Sequence, residues 1–145
     1  MRLWHKDLIS YLPRQQLLGQ WRECCLIAKN IAETGTPNHL LVNRIMDYPL
    51  CHFSLYSEMV FSELLWRDCT ADSSKFTKNL PLGSTVIGKD DLFANWHDKR
   101  YYRQCYYNLQ EKFDCGGISR EEFTKIPHPF DYERKEAKRL CAKLN

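Results

Sequence analysis

The fold of this chain is decided by residues 12–23, LPRQQLLGQWRE, which begin a long amphipathic helix close behind the N-terminus. Leu12 precedes a proline and therefore favours an extended backbone, whereas Pro13 has the fixed φ of a first helical position. We therefore predict a helix from about residue 13, with Gly35 as its C-terminal stop.

This helix has an apolar and a polar face. At about 100° per residue, the apolar face contains Leu17, Leu18, Trp21, Cys24, Cys25, Ala28 and Ile31, and the polar face contains Gln15, Gln16, Gly19, Arg22, Glu23, Lys29 and Asn30. Gly19 costs about 1 kcal/mol relative to alanine in mid-helix. It also leaves a notch between Gln16 and Glu23, its neighbours at i−3 and i+4, where a backbone or a ligand has room to approach. The apolar face is predicted to be core and the polar face to be available for binding or catalysis.

The residues around this helix predict further helices. Residues 1–12 are predicted to form an ordered segment anchored by Trp4 and Leu8. Thr36-Pro37 has the pattern of an N-cap and first helical position, which predicts a short helix ending before Pro49. Apolar residues at helical spacing over Leu50–Cys69 then predict a central core helix.

The C-terminal half has helical signals but no strand pattern. We predict a loop or short helical turn over residues 70–90, covering the binding face, and a helix from about His97 to the Gly116-Gly117 stop. Ser119-x-x-Glu122 is a capping box, and residues 131–142 are predicted to form a charged, peripheral terminal helix. The expected fold is therefore all-α, with residues 1–145 as one compact domain.

Composition excludes several classes of protein. The 145 residues contain seven cysteines but no CxxC pair, so neither a disulfide framework nor a zinc site is expected. No metal motif or glycine-rich phosphate loop occurs, and we expect no cofactor. The chain has no long apolar run, and its first 18 residues include charged side chains that a signal peptide would lack. These features predict a cytoplasmic protein with no membrane partner. A net charge of +3 neither requires nor excludes nucleic acid.

The first 25 residues resemble a known family. Gln15-Gln16-Leu17-Leu18 followed by Trp21-Arg22-Glu23 is similar to the phage pyrimidine-dimer DNA glycosylases of the endonuclease V type, which have Gln-His-Leu-Met and then Tyr-Arg-Glu at the same spacing. The stretch from Met1-Arg2-Leu3-Trp4-His5 through Glu23-Cys24-Cys25 resembles an uncharacterised bacterial branch grouped with them even more closely. The resemblance implies the compact helical fold of phage endonuclease V, here with an added C-terminal helix.

The resemblance also implies a reaction on damaged DNA. Such an enzyme cuts the glycosidic bond at pyrimidine dimers and then nicks the strand as an abasic-site lyase, with the N-terminal α-amino group as nucleophile and Glu23 as the catalytic carboxylate. An α-amino group has an ordinary pKa of about 7.7–8.0, against about 10.4 for lysine, so a useful fraction is neutral near neutral pH. Without the resemblance, the ordinary interpretations are a frayed terminus for Met1 and a solvated carboxylate for Glu23.

Two sequence differences separate this chain from the phage enzymes. Those enzymes expose a threonine amine, whereas the bulky Arg2 is expected to prevent removal of the initiator methionine here, which makes Met1 the candidate nucleophile. They also have an arginine three positions beyond the catalytic glutamate, where this chain has Leu26. Their aromatic C-terminal tail has no clear equivalent.

The predicted partner is double-stranded DNA containing a damaged base, bound by a monomer. The predicted DNA-binding residues are Arg2, Arg14, Gln15, Gln16 and Arg22. Arginine neutralises phosphates and amide side chains make bidentate contacts. Arg14 and Arg22 fit ordinary surface positions equally well, and Arg22 is the preferred candidate of the two. The tyrosines between Tyr101 and Tyr107 have the pattern of a core stripe, with stacking on bases as the alternative.

Two other functions fit the same residues. A noncatalytic nucleic-acid-binding module would keep the helix and lose the amine chemistry. A thiol enzyme would use Cys24 or Cys25, but both lie on the apolar face and spacing brings no activating histidine to them.

Overall fold

The computed structural model describes all 145 residues and contains only helices and the segments that connect them, which confirms the predicted all-α fold. Six α-helices follow one another along the chain: α1 (Arg14–Thr34), α2 (Leu50–Trp66), α3 (Ser74–Thr77), α4 (Lys99–Asp114), α5 (Arg120–Thr124) and α6 (Pro129–Leu144). Two 3₁₀-helices, Lys6–Tyr11 and Asn43–Asp47, precede α1 and α2. None of the helices is long and apolar enough to span a membrane.

Helix α1 has the predicted ends. Pro13 occupies its N-cap, and Gly35 ends it in the left-handed conformation at φ 78°. Its buried side packs against α2 and α3, where the Trp21 ring lies 4.9 Å from that of Phe61 and 5.9 Å from that of Phe76. This packing makes α1 and α2 the centre of one hydrophobic core.

The helix predicted to start at Thr36-Pro37 does not form, and this prediction was wrong. The Thr36 hydroxyl accepts a hydrogen bond from the Asn38 backbone N–H at 3.0 Å, and Asn38 has φ 59°. A left-handed residue cannot continue a right-handed helix. Only the 3₁₀-helix Asn43–Asp47 follows, and Leu40 and Leu41 remain exposed.

The C-terminal helices match the sequence closely. Helix α4 begins two residues later than predicted, because the Asp98 carboxylate caps it by accepting from the Tyr101 N–H. The capping box of α5 is present, with the Ser119 hydroxyl accepting from the Glu122 N–H at 3.2 Å.

Helix α6 packs against α4 and is the added C-terminal helix of the expected fold. The Tyr102 and Tyr132 rings stack there at 3.7 Å.

Candidate functional site

The first five residues, which we call the N-terminal arm, run along the polar edge of α1. The Arg2 backbone N–H donates to Glu23 Oε2 at 3.2 Å. Gln20 contacts the arm twice, because its Nε2 donates to the Arg2 carbonyl at 3.0 Å and its Oε1 accepts from the Trp4 N–H at 2.8 Å. One face of α1 therefore fixes the backbone on both sides of Leu3.

Two other helices also hold the arm, and the segment before α4 holds the residue that follows it. From α2, the Tyr56 hydroxyl donates to the Trp4 carbonyl at 2.6 Å. From α4, the Tyr101 hydroxyl donates to the Leu3 carbonyl. His97 Nδ1 accepts from the Lys6 N–H at 2.9 Å, just beyond the arm. The arm is thus ordered by contacts from widely separated parts of the chain.

Met1 is also held in place. Its side chain is half-buried against the hydrophobic core. Its amine nitrogen is three bonds from the Arg2 nitrogen and so lies within about 4 Å of it. The amine and the Glu23 carboxylate are therefore neighbours, although they do not form an ion pair within 4.0 Å.

The outer side of α1 beside Glu23 is open. An ideal Cβ at Gly19 would meet nothing within 4 Å, so the predicted notch is empty. Gln15 and Arg22 are exposed along it. Gln16, one helical turn before Gln20, has a buried Oε1 without a hydrogen-bond partner. This face therefore has open space at Gly19 and exposed side chains at Gln15 and Arg22.

The structure brings Met1 and Arg2 to Glu23, but it does not bring all of the predicted site residues together. The Arg2 guanidinium lies 4.9 Å from the centre of the Trp4 ring, beside the arm. Arg14 is nine residues before Glu23, which places it about 14 Å along α1 and on the opposite side of the helix. Its backbone N–H donates to Glu122 instead. Of the predicted DNA-binding residues, only Arg2 contacts Glu23, through its backbone N–H. Gln16 lies on the same side of α1 two turns earlier, whereas Arg14 lies apart.

Burial keeps His5, the last residue of the arm, and His97 behind it neutral. Burial lowers the pKa of His5 to about 4, and its Nδ1 accepts from the Asp7 N–H at 3.1 Å. Burial also lowers the pKa of His97 well below its ordinary value. The two rings lie 5.2 Å apart, so two imidazolium ions there would repel each other. Both imidazoles act as neutral acceptors for backbone N–H groups.

The tyrosine stripe of α4 belongs mainly to the core. Tyr102 and Tyr106 are buried, and Tyr101 bonds the arm, so Tyr107 alone is half exposed. Burial raises the pKa of Tyr56 and Tyr101, so their hydroxyls remain protonated donors.

The thiols have the wrong environment for catalysis. Burial raises the pKa of both Cys24 and Cys25. A nucleophilic cysteine needs a lowered pKa and an activating neighbour. The structure therefore gives no support to a thiol enzyme.

Four residues that hold the arm were not among the predicted site residues: Gln20, Tyr56, His97 and Tyr101. Gln20 had a sequence signal, because it is a polar residue at an apolar position of α1. In the structure its side chain is only 1% exposed. A buried amide of this kind needs hydrogen-bond partners. The other three have no comparable signal.

A cavity of about 1210 Å³ lies between Lys6–Tyr11, α2, α6 and residues 89–99, and Lys6 and His97 are part of its lining. More acidic than basic side chains line it, which does not suit a DNA backbone. The candidate site is therefore the arm and the exposed side of α1.

A comparison with protein families gives one match. A family model described as pyrimidine dimer DNA glycosylase matches residues 1–77, more than half of the chain. No curated protein and no solved structure matches. The matched residues include the arm, α1 and α2.

Proposed function

Because this chain belongs to the pyrimidine dimer DNA glycosylase family, we propose that it removes the base at pyrimidine dimers or a related lesion and then cleaves the strand as an abasic-site lyase. The protein acts as a monomer on double-stranded DNA. The observation that carries this proposal is the hydrogen bond from the Arg2 N–H to Glu23 Oε2 at 3.2 Å, which holds the chain terminus beside a carboxylate.

The nucleophile is the Met1 amine. Its lone pair forms a bond to C1′ of the damaged nucleotide while the bond from C1′ to the base breaks, and the base leaves with that electron pair and takes up a proton. The attacking nitrogen then loses a proton and its freed lone pair forms a C=N bond to C1′ while the bond from C1′ to O4′ breaks; O4′ takes up a proton, so the sugar ring opens and an imine results. An amine on an ordered arm can be oriented for this attack, and the packing of Met1 on the core supplies that order.

Glu23 supports both stages of the reaction. Its carboxylate stabilises the positive charge that develops on the sugar, and it then removes the acidified proton at C2′. The electrons of that C–H bond expel the 3′ phosphate, and water hydrolyses the imine to restore the amine. One oxygen of Glu23 accepts from the Arg2 N–H, which fixes the carboxylate for these roles.

The exposed side of α1 binds the damaged strand. Arg22 and Arg2 contact phosphates, and Gln15 and Gln16 donate to or accept from phosphates or bases. A lesion inside a duplex must be unstacked at a cost of a few kcal/mol, so these contacts stabilise distorted DNA. The empty notch at Gly19 gives the DNA backbone room to approach Glu23.

Reductive trapping tests the proposal. The protein is incubated with abasic-site duplex DNA and borohydride, which converts an imine into a stable adduct. We expect an adduct whose DNA remnant is carried by the peptide beginning at Met1. An adduct on a lysine, or equal trapping by a protein with an acetylated terminus, would overturn the proposal.

A further inference from the structure

We infer that Gln20 is a positioning residue that fixes the Met1 amine against Glu23 and thereby sets the rate of imine formation. The inference rests on the proposed function. Gln20 is 1% exposed and cannot contact DNA directly, so its effect must pass through the arm.

The oxygen and the nitrogen of the Gln20 amide both bind the backbone of the arm. Its Oε1 accepts from the Trp4 N–H at 2.8 Å and from the Tyr56 hydroxyl at 3.1 Å. Its Nε2 donates to the Arg2 carbonyl at 3.0 Å. A neutral amide is the side-chain group that supplies a carbonyl acceptor and an N–H donor from one plane. This donor and acceptor pair matches the Arg2 C=O and Trp4 N–H groups.

Gln20 and Glu23 bind different backbone groups of Arg2. Glu23 holds the Arg2 N–H and Gln20 holds the Arg2 carbonyl, so both polar groups of the residue next to Met1 are bound by α1. If the Gln20 contact is lost, Tyr101 still bonds the Leu3 carbonyl. The arm then stays attached to the protein, but its first two residues gain freedom.

Because Gln20 contacts the arm but not the DNA-binding face, its loss should change the rate of imine formation and not the affinity for DNA. Small displacements of a reacting group by about 1 Å can reduce a rate by about 100-fold. We therefore expect loss of Gln20 to lower the first-order rate of imine formation by about 10- to 100-fold. The dissociation constant for abasic-site DNA is expected to change less than about threefold, because the buried amide does not reach the DNA-binding face.

The experiment measures trapping rate and DNA affinity in three variants. Gln20→Leu removes the donor and the acceptor. Gln20→Glu keeps an acceptor and loses the donor to Arg2. Asn108→Leu is the control, because Asn108 is a half-buried helical amide that, like Gln20, donates to a backbone carbonyl, here that of Gln104.

Gln20→Glu adds a signature that general destabilisation does not produce. A buried carboxyl group titrates above its ordinary pKa of about 4.3. Once protonated, the substituted group again donates to the Arg2 carbonyl. The ratio of the Gln20→Glu rate to the parent rate is therefore expected to rise as the pH falls from about 8 to about 5.5, whereas the ratio for Gln20→Leu stays flat.

The outcomes separate the two proposals. A slow Gln20→Leu variant with unchanged DNA affinity, together with the rising ratio for Gln20→Glu, supports the inference. If Gln20→Leu does not fold, the pH dependence of Gln20→Glu decides alone, and a flat ratio overturns the inference. Parent-like trapping by the Gln20 variants overturns the inference but leaves the proposed function standing. Absence of any adduct in the parent overturns both.

Discussion

One residue added before Met1 is expected to reduce imine formation by at least about 100-fold. The arm cannot slide by one position to absorb the extra residue, because sliding would place the charged Arg2 in the fully buried position of Leu3. The new terminus must therefore extend outward.

The size of the effect follows from the dimensions of the chain. An extended residue moves the amine by about 3.3–3.6 Å. That is several times the displacement of about 1 Å that can cost 100-fold in rate, so a loss of at least about 2.7 kcal/mol in transition-state stabilisation is expected. DNA binding should change little, since the predicted contacts of α1 are untouched.

The assay is a single-turnover time course of borohydride trapping on abasic-site duplex DNA. A protein with one residue added after Asn145 is the control, because that end of α6 is exposed. It should trap at the parent rate. If the protein extended before Met1 traps as fast as the parent, the amine is not the nucleophile and the argument from the arm fails.

Four further outcomes follow from the same geometry. Glu23→Gln should leave binding nearly intact while lowering cleavage by about 100-fold or more, because the amide cannot accept the C2′ proton; equal cleavage would refute its role. Arg22→Ala should weaken DNA binding and reduce the salt slope by about one, and a flat salt dependence in the parent would argue against phosphate contacts. Gly19→Ala should stabilise α1 by up to about 1 kcal/mol in denaturant unfolding, since its Cβ meets nothing within 4 Å, yet it should slow cleavage if DNA enters the notch. Finally, burial lowers the pKa of His5 to about 4 in the folded protein, whereas the same side chain in the unfolded chain has a pKa of about 6.5. As the pH falls below about 6.5, His5 therefore takes up a proton in the unfolded chain but not in the folded protein, which favours unfolding. The free energy of unfolding should therefore drop by about 2 kcal/mol between pH 7 and pH 5, and a constant value would contradict this account.

Local signals made the first helix predictable. Pro13 and Gly35 mark its ends, and the apolar spacing from Leu17 to Ile31 marks its buried side. The segment after it was not predictable in the same way. Thr36-Pro37 suits a helix start, but the turn closed by the Thr36 hydroxyl and the left-handed Asn38 compete with that conformation.

The candidate site was predictable only in part. Glu23 and Arg22 follow from the spacing of the family motif, and the open notch follows from Gly19. The residues that order the arm could not be found in this way, because Tyr101 bonds a residue 98 positions away and His97 one 91 positions away. Contacts at such separations leave no periodic pattern in the sequence.

The long separation between the arm and its supports affects the newly made protein. The family match covers residues 1–77, which include α1 and Glu23, but the segment that bonds Leu3 and Lys6 begins only near His97. Chains grow at about 5–20 residues per second, so α1 leaves the ribosome well before the supports of the arm. A nascent chain at that stage has Glu23 and Gln20, which bind Arg2, but it lacks the bonds that Tyr101 and His97 make to Leu3 and Lys6. The order of synthesis thus leaves the arm with only part of its support until the second half of the protein has been made.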